Sequence, residues 1–334
     1  MSQIVLGVGT SHSPLLAIEP ELWQERGKDD TRRERIVLTD GRVVSYRELA
    51  EQVKNRFAQE ATPDNFVRQA DAARVALDTL AAAIEQAQPD VLVVIGDDQE
   101  ELFAKSHVPA FAIYSGVQII MHPKSEIEPH LPTWNLQANK LYGMDSVHRY
   151  RAAPELAVNL IEHLIESGVD VSVASSVPDP SKAGFGHAYG FIAQRLCRHR
   201  EIPLLPVMLN TYYPPNVPTP ARCYDIGRLI CAAIAANADE LRVGIVASGG
   251  LTHFHTDEVF DRRILNAMRT RDSDLLRALP VSALRSGNSE ILNWIMAAGA
   301  LEALAINFSE YIAVRRTPAG TGIGLGFAVW RPSV

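Results

Sequence analysis

The 334-residue sequence has little cysteine, no long apolar run and no cluster of basic residues. Its three cysteines, Cys197, Cys223 and Cys231, have neither the spacing of a zinc site nor that of a disulfide framework. No apolar segment approaches the roughly 20 residues that a membrane-spanning helix requires. The 32 lysines and arginines form no stripe that would bind nucleic acid. These absences predict a reduced, cytoplasmic protein without a membrane span or a nucleic-acid partner.

Apolar, strand-like segments alternate with helical segments along the whole chain. IVLGVG (4–9), VLVVIG (91–96) and LRVGIVASGG (241–250) are strand candidates, and a helix is predicted over 288–306. The hydrophobic fraction of 47% suffices for a large core. We therefore expect a single layered α/β domain over residues 1–334, with a central, mostly parallel or mixed sheet flanked by helices.

Two segments stand out from this alternation. Residues 35–46 contain Asp40-Gly41 between apolar runs, which predicts a β-hairpin, and Ser45 with Glu48 fits the capping box of a following helix. Residues 116–152 are irregular and rich in polar and aromatic side chains. Loops of that length often carry function or cover a site.

Several predicted strands lead directly into polar residues. In open α/β sheets, sites form beyond the carboxyl ends of the strands, so these side chains are expected at one edge. The candidates are His12, Asp97, Asp98, Gln99, His187, His253 and Glu290. Two histidines and one carboxylate make a facial triad that binds iron(II) and leaves coordination positions open.

Each candidate also has a simpler role when it is considered alone. His12 fits a core or capping histidine, and His187 fits the cap of the helix that it opens. Glu290 fits a carboxylate that stabilises a helix N-terminus. His253 is harder to explain in this way, because the preceding Gly249-Gly250 allows the backbone to approach another group closely. The set of residues therefore carries more weight than any member.

A dinucleotide-binding loop is not indicated. GVGTSHSP (7–14) would need a glycine in place of His12 to match the G-x-G-x-x-G pattern. The late glycine-rich segment 320–326 precedes no predicted helix and is typical of a turn into a strand.

Four segments, in order, resemble the class III extradiol ring-cleavage dioxygenases, the superfamily of the protocatechuate 4,5-dioxygenase catalytic (beta) subunit. They are GTSHSP (9–14), LNTYYPP (209–215), ASGGLTH (247–253) and SEILNWIMAAGAL (289–301). The resemblance covers residue 3 to about residue 331 and is strongest to single-subunit methylgallate-type enzymes, whose second motif also reads GDDQ. It implies an iron(II) enzyme that cleaves a substituted catechol, of gallate, methylgallate or protocatechuate type, with dioxygen.

The resemblance also implies individual roles. His12 and Glu290 match iron ligands, His253 matches the active-site acid/base, and His187 matches a histidine that contacts substrate. Gln99 stands where the family has its second histidine ligand.

An amide oxygen binds iron(II) more weakly than imidazole does. We therefore expect weaker binding at Gln99, or binding through a water. Asp97 or Asp98 is an alternative ligand, and His107 is a more remote one. Alternatively, Gln99 only caps a helix at 99–105 beside a metal-free site.

Other questions stay open at the level of the sequence. Tyr212 and Tyr213 are the substrate-binding candidates, and Arg315 and Arg316 could also meet a ring substituent. The hairpin and helix of residues 35–60 are extra to the protocatechuate enzyme and could replace its small alpha subunit. We expect a homo-oligomer. The alternative functions are a zinc-dependent hydrolase and a non-catalytic binding protein on the same fold.

Overall fold

An eight-stranded sheet lies at the centre of the computed structural model, which describes residues 1–197 and 199–332. Residues 198, 333 and 334 of the predicted domain lie outside the described residues. Eight of the strands below form this sheet, and the pairs β2-β3 and β6-β7 form two small separate sheets. The strands are β1 (Gln3–Thr10), β2 (Ile36–Val37), β3 (Val43–Val44), β4 (Val91–Asp97), β5 (Phe111–Tyr114), β6 (Gln118–Ile120), β7 (Arg149–Arg151), β8 (Ser172–Ala174), β9 (Leu204–Leu209), β10 (Arg242–Ser248), β11 (Leu304–Arg315) and β12 (Gly322–Pro332).

Helices connect the strands and cover both faces of the sheet. They are α1 (Trp23–Asp30), α2 (Tyr46–Val53), α3 (Pro63–Ala87), α4 (Lys124–Ile127), α5 (Thr133–Leu141), α6 (Pro154–Glu166), α7 (His187–Phe191), α8 (Pro220–Ala236), α9 (Glu258–Thr270), α10 (Ser273–Arg277) and α11 (Ile291–Ala300). Short 3-10 turns occur at Pro14–Leu16, Pro20–Leu22 and Ser286–Glu290, and a π-helical turn at Ile192–Leu196. Across the described residues, we find no helix long and apolar enough to cross a membrane.

The sheet is mixed, with the order β11-β12-β1-β10-β4-β9-β5-β8. Its middle strands β1, β10, β4 and β9 run parallel, whereas β12 pairs antiparallel with β1 and β5 antiparallel with β9. The predicted α/β class is confirmed. Register places Thr10 opposite Ser248, and Asp97 opposite Leu209, so the ends of the parallel strands share one edge.

Strand β4 shows why the sheet needs helices on both faces. All seven of its residues are buried. Val93 and Ile95 pack into an apolar core with residues of α6, α8 and α11, while Leu92 and Val94 pack into a second core with residues of α3. A continuous apolar strand of this kind is typical of a parallel sheet that is covered on both sides.

The predicted helix over 288–306 is wrong at both ends. A 3-10 turn occupies Ser286–Glu290, and α11 begins at Ile291 and ends at Ala300. From Leu304 the chain forms the long strand β11, which pairs with β12. Pairing of the apolar residues with β12 therefore outweighs helical continuation here.

The local unit at residues 35–60 forms as predicted. Strands β2 and β3 make an antiparallel hairpin, and the Ser45–Glu48 capping box opens α2. Their apolar residues form a small cluster with Ala319, against which Phe254 packs. The unit thus supports the segment directly after His253, and its replacement of a small alpha subunit stays a prediction.

Candidate active site

A cavity of about 230 Å³ opens at the edge where the parallel strands end. This cavity is lined by six of the residues that the sequence nominates for metal binding, catalysis or substrate binding. They are His12, Gln99, His187, Tyr212, His253 and Glu290. Tyr213 is not among the described residues that line it. The fold therefore brings together, at this edge of the sheet, residues as distant in sequence as His12 and Glu290.

His12 presents one ring nitrogen that has no partner. Its Nδ1 lies 3.0 Å from Ser248 Oγ, and that hydroxyl donates its own proton to the Ala188 carbonyl oxygen at 2.7 Å. Ser248 must then accept from His12, which leaves the lone pair on Nε2. His12 is 2% exposed, and its Nε2 has no hydrogen-bond partner among the residues that the structure describes. Tyr142 donates to the His12 carbonyl oxygen at 2.7 Å and fixes this segment.

Two carboxylates face that nitrogen. His12 Nε2 lies 3.3 Å from Glu290 Oε2 and 3.9 Å from Asp97 Oδ1. Tyr212 donates to Glu290 Oε1 at 2.8 Å, and the Gly250 amide donates to Glu290 Oε2 at 2.6 Å. Burial, and then the charge of Glu290, raises the pKa of Asp97. The arrangement therefore concentrates electron-pair donors in a space from which water is largely excluded.

Glu101 orients His187. The His187 Nδ1 donates to Glu101 Oε1 at 3.0 Å, and Glu101 Oε2 accepts from the backbone N–H of Gln99 at 2.5 Å. Burial opposes the charged imidazole, but the hydrogen bond and charge of Glu101 raise the pKa of His187 to about 9. A Cβ on Gly186 would lie 2.4 Å from Glu101 Cδ, so this position has no space for a larger residue. The sequence analysis missed Glu101, although it stands in the same acidic segment as Asp97.

Gln99 lies in the cavity next to Asp97. Its Nε2 donates to Asp97 Oδ2 at 2.8 Å and lies 3.5 Å from His187 Nε2. Asp98 is directed elsewhere, because it accepts from the Leu102 and Phe103 amides. Residues 99–105 form no helix, and His107 lines a different cavity. The ligand role of Gln99 stays a prediction, while its contact with Asp97 is plain.

Three side chains can hold a metal ion together. His12, Asp97 and His187 each offer a nitrogen or oxygen atom, and these atoms lie within 4.8 Å of one another. Nitrogen and carboxylate oxygen donors of this kind suit divalent transition metals. Glu290, at 3.3 Å from His12 Nε2, adds a further carboxylate.

His253 is held as a neutral base would be. Its Nδ1 donates to the Leu251 carbonyl oxygen at 2.8 Å, which leaves the lone pair on Nε2, 3.4 Å from Glu290 Oε2. Burial lowers the pKa of His253. A Cβ on Gly250 would lie 2.3 Å from His253 Cε1, and one on Gly287 would lie 2.2 Å from its Cβ. The predicted close approach at the paired glycines is confirmed.

The two arginines nominated for a ring substituent are bound elsewhere. Arg315 pairs with Glu60 at 2.5 Å and with Glu258 at 3.4 Å. Arg316 pairs with the buried Asp30 at 2.8 Å. Neither lines the cavity of about 230 Å³. The structure therefore does not bring either of them to the site.

Comparison with known proteins identifies the family. Residues 58–326 match the family described as the catalytic LigB subunit of aromatic ring-opening dioxygenase. The chain belongs to the LigB family. Over 174 residues it is also 24% identical to 2,3-dihydroxyphenylpropionate/2,3-dihydroxicinnamic acid 1,2-dioxygenase from Comamonas testosteroni, across 52% of this chain and 46% of that protein. The chain thus spans about half the length of this curated relative.

The LigB assignment confirms the resemblance read from the sequence. LigB enzymes are metal-dependent and open aromatic rings with dioxygen, which agrees with a cavity that gathers imidazoles and carboxylates. The matched range includes Asp97, His187, His253 and Glu290, whereas His12 lies before it. The place of His12 in the site is therefore given by the geometry of β1.

Several residues that line the cavity of this LigB-family chain were not predicted from the sequence. Arg26, Lys124 and Trp134 line it from α1, α4 and α5. Lys124 and Trp134 belong to the segment 116–152, which lines the candidate site. The segment is not irregular as predicted, because it forms β6, α4, α5 and β7. Arg26 carried no signal, because a single arginine in a short polar helix is ordinary in any sequence.

Proposed function

We propose that this LigB-family protein is an iron(II)-dependent extradiol dioxygenase that cleaves the ring of a substituted catechol. One observation carries the proposal. Within residues 1–197 and 199–332, the buried Nε2 of His12 has no hydrogen-bond partner, although carboxylate oxygens lie 3.3 and 3.9 Å away. A buried polar atom without a partner is costly. A divalent cation would satisfy this lone pair and both carboxylates at once, so the residues fit a metal.

The first ligands would be His12 and Glu290. Asp97 and His187 lie close enough to complete the set, and both would keep the donor types that iron(II) accepts. Gln99 would then hold Asp97 through its amide N–H instead of binding the metal directly. Iron(II), when bound, would acidify the diol and hold it beside dioxygen.

The chain's own residues would manage substrate and protons. His253 Nε2 carries a free lone pair in the cavity, so it can take a proton from a diol hydroxyl and later return it. The Leu251 carbonyl oxygen keeps the other ring nitrogen protonated and fixes the ring. The Tyr212 hydroxyl donates to Glu290, so this candidate substrate-binding residue would act mainly on the carboxylate. His187 would face the substrate or the metal.

The substrate class proposed is a catechol of gallate, methylgallate or protocatechuate type, in a cytoplasmic homo-oligomer. Neither the family nor the relative is described as a hydrolase. The zinc hydrolase and the binding protein therefore gain no support from a specific observation.

The test is anaerobic loading of metal-free protein with iron(II) or zinc(II), followed by oxygen uptake with a panel of catechols. We expect iron alone to restore activity, with one dioxygen consumed for each diol. An absence of uptake with every vicinal diol would contradict the dioxygenase function. Hydrolysis restored by zinc would favour the rival instead.

A further inference from the structure

Arg26 brings a positive charge into the candidate active site. Its side chain is 16% exposed and lines the same cavity as His12, His253 and Glu290. Its guanidinium lies over the Trp134 ring, 4.8 Å from the ring centroid. Stacking of this kind fixes the plane of the guanidinium while leaving its N–H edges free to donate.

Those N–H groups have no acceptor at hydrogen-bonding distance. Arg26 Nη1 lies 3.9 Å from both Asp29 Oδ2 and Asp30 Oδ1. Asp30 is already bound by Arg33 at 3.1 Å and by Arg316 at 2.8 Å. Within the described residues, Arg26 therefore makes no hydrogen bond, and three guanidiniums share two carboxylates. One positive charge is left over beside the cavity.

A second cation lines the cavity. Lys124, in α4, makes no ion pair in the part of the chain that the structure describes, although its charge helps to lower the pKa of Glu101. The proposed function assigns the imidazoles and carboxylates of the lining to the metal and the diol. Arg26 and Lys124 are the lining cations that this assignment leaves to attract an anionic group.

We infer that Arg26, assisted by Lys124, determines specificity by binding a carboxylate substituent of the aromatic substrate. The inference rests on the proposed function for the position of the diol. A guanidinium binds a carboxylate through two parallel N–H donors, which fixes orientation as well as charge. The cavity of about 230 Å³ is smaller than typical drug-sized pockets, so a single ring with a short acidic group fits it. Arg26 precedes residues 58–326, so the family match does not assign it a role.

The experiment compares 3,4-dihydroxybenzoate with its methyl ester, which keeps the diol but lacks the charge. Binding to the iron-loaded protein is measured by calorimetry without oxygen. The wild type should bind the acid more tightly than the ester. Arg26→Gln should weaken binding of the acid by about 10–100-fold, the value of a charged hydrogen bond, and leave the ester unchanged. Arg47→Gln, on an exposed side chain, is the matched control.

Equal binding of acid and ester by the wild type would overturn the inference, as would an equal loss of both in Arg26→Gln. If Arg26→Gln does not fold, Lys124→Gln must reduce the preference for the acid, and an unchanged preference overturns the inference. The binding assay also separates the two proposals. A preference that depends on Arg26, without oxygen uptake by any catechol, refutes the dioxygenase function and supports the anion site. Oxygen uptake without the preference supports the dioxygenase function and refutes the anion site.

Discussion

Asp97 and Asp261 are both buried aspartates, and burial raises the pKa of both, to about 7 for Asp261. Their surroundings differ. Asp261 accepts from the Thr252 amide at 2.9 Å, the Thr252 hydroxyl at 2.7 Å and the Tyr311 hydroxyl at 2.8 Å. Asp97 accepts from two side-chain amides and faces a second carboxylate, Glu290. In the Asp261 cluster the carboxylate is matched by donors, whereas in the Asp97 cluster two carboxylates and an imidazole lone pair face one another.

The difference lies in the hydrogen-bond donors available to each carboxylate. Around Asp261, three donors lie at 2.7 to 2.9 Å and satisfy the carboxylate without a metal. Around Asp97, the lone pair of His12 Nε2 meets carboxylate oxygens and finds no donor. Buried polar groups normally have hydrogen-bond partners, so this arrangement supports the proposed metal site. A strongly perturbed pKa alone would not distinguish the two sites.

The largest effect on metal binding should come from removing Glu290, a carboxylate of the Asp97 cluster. Glu290→Ala should lower iron affinity by more than the roughly 10–100-fold cost of changing an outer-shell partner, and activity should fall to background. Metal content after anaerobic loading and desalting measures this directly. Glu310→Ala, an exposed carboxylate on β11, should keep both metal and activity. Retention of iron by Glu290→Ala would mean that Glu290 is not a ligand.

Replacing the candidate base should separate catalysis from metal binding. His253→Phe should reduce turnover by about 10²–10⁴-fold, the range for a positioned acid/base, while the iron content stays unchanged. His255→Phe, two residues further and outside the cavity lining, is the matched control. Loss of iron in His253→Phe would move His253 into the ligand set.

The sequence predicts the part of the site that depends on strand ends. His12, Asp97 and His253 follow apolar strands, and parallel strands end at one edge by geometry. Arg26 could not be predicted, because its position depends on packing of α1 against the distant residue Arg316 through Asp30. Such a long-range contact leaves no periodic pattern in the sequence.

The choice of ligand at Gln99 was open for a different reason. Spacing gives the position of a residue but not the rotamer that decides whether an amide oxygen or its N–H group faces the metal site. In the structure the side-chain N–H of Gln99 donates to Asp97 Oδ2, and direct ligation by Gln99 stays a prediction.

Removing the hydrogen bond from Gln99 to Asp97 should have a smaller effect on metal affinity. Gln99→Ala should weaken iron binding about 10–100-fold, because Asp97 loses the donor that orients it. A competition assay with a chelator measures the affinity, and Gln118→Ala, on an exposed side chain, serves as the control. A higher iron affinity in Gln99→His would instead favour direct ligation at this position.

The smallest effect concerns the Asp261 cluster, and it is a dependence of folding stability on pH. The folded pKa of Asp261, about 7, lies above the unfolded value of about 3.9 because burial outweighs the donors Thr252 and Tyr311, and Asp257 adds a like charge. The contribution to stability is therefore full below the unfolded pKa and is lost as pH rises through 7. Between pH 6 and 7.5 the loss should be roughly 1 kcal/mol. Denaturant unfolding of the metal-free protein should include this loss, and Asp261→Asn should reduce the slope by about that amount while the exposed-site variant Asp71→Asn does not. An unchanged slope in Asp261→Asn would show that this carboxylate is already ionised in the folded state at pH 6.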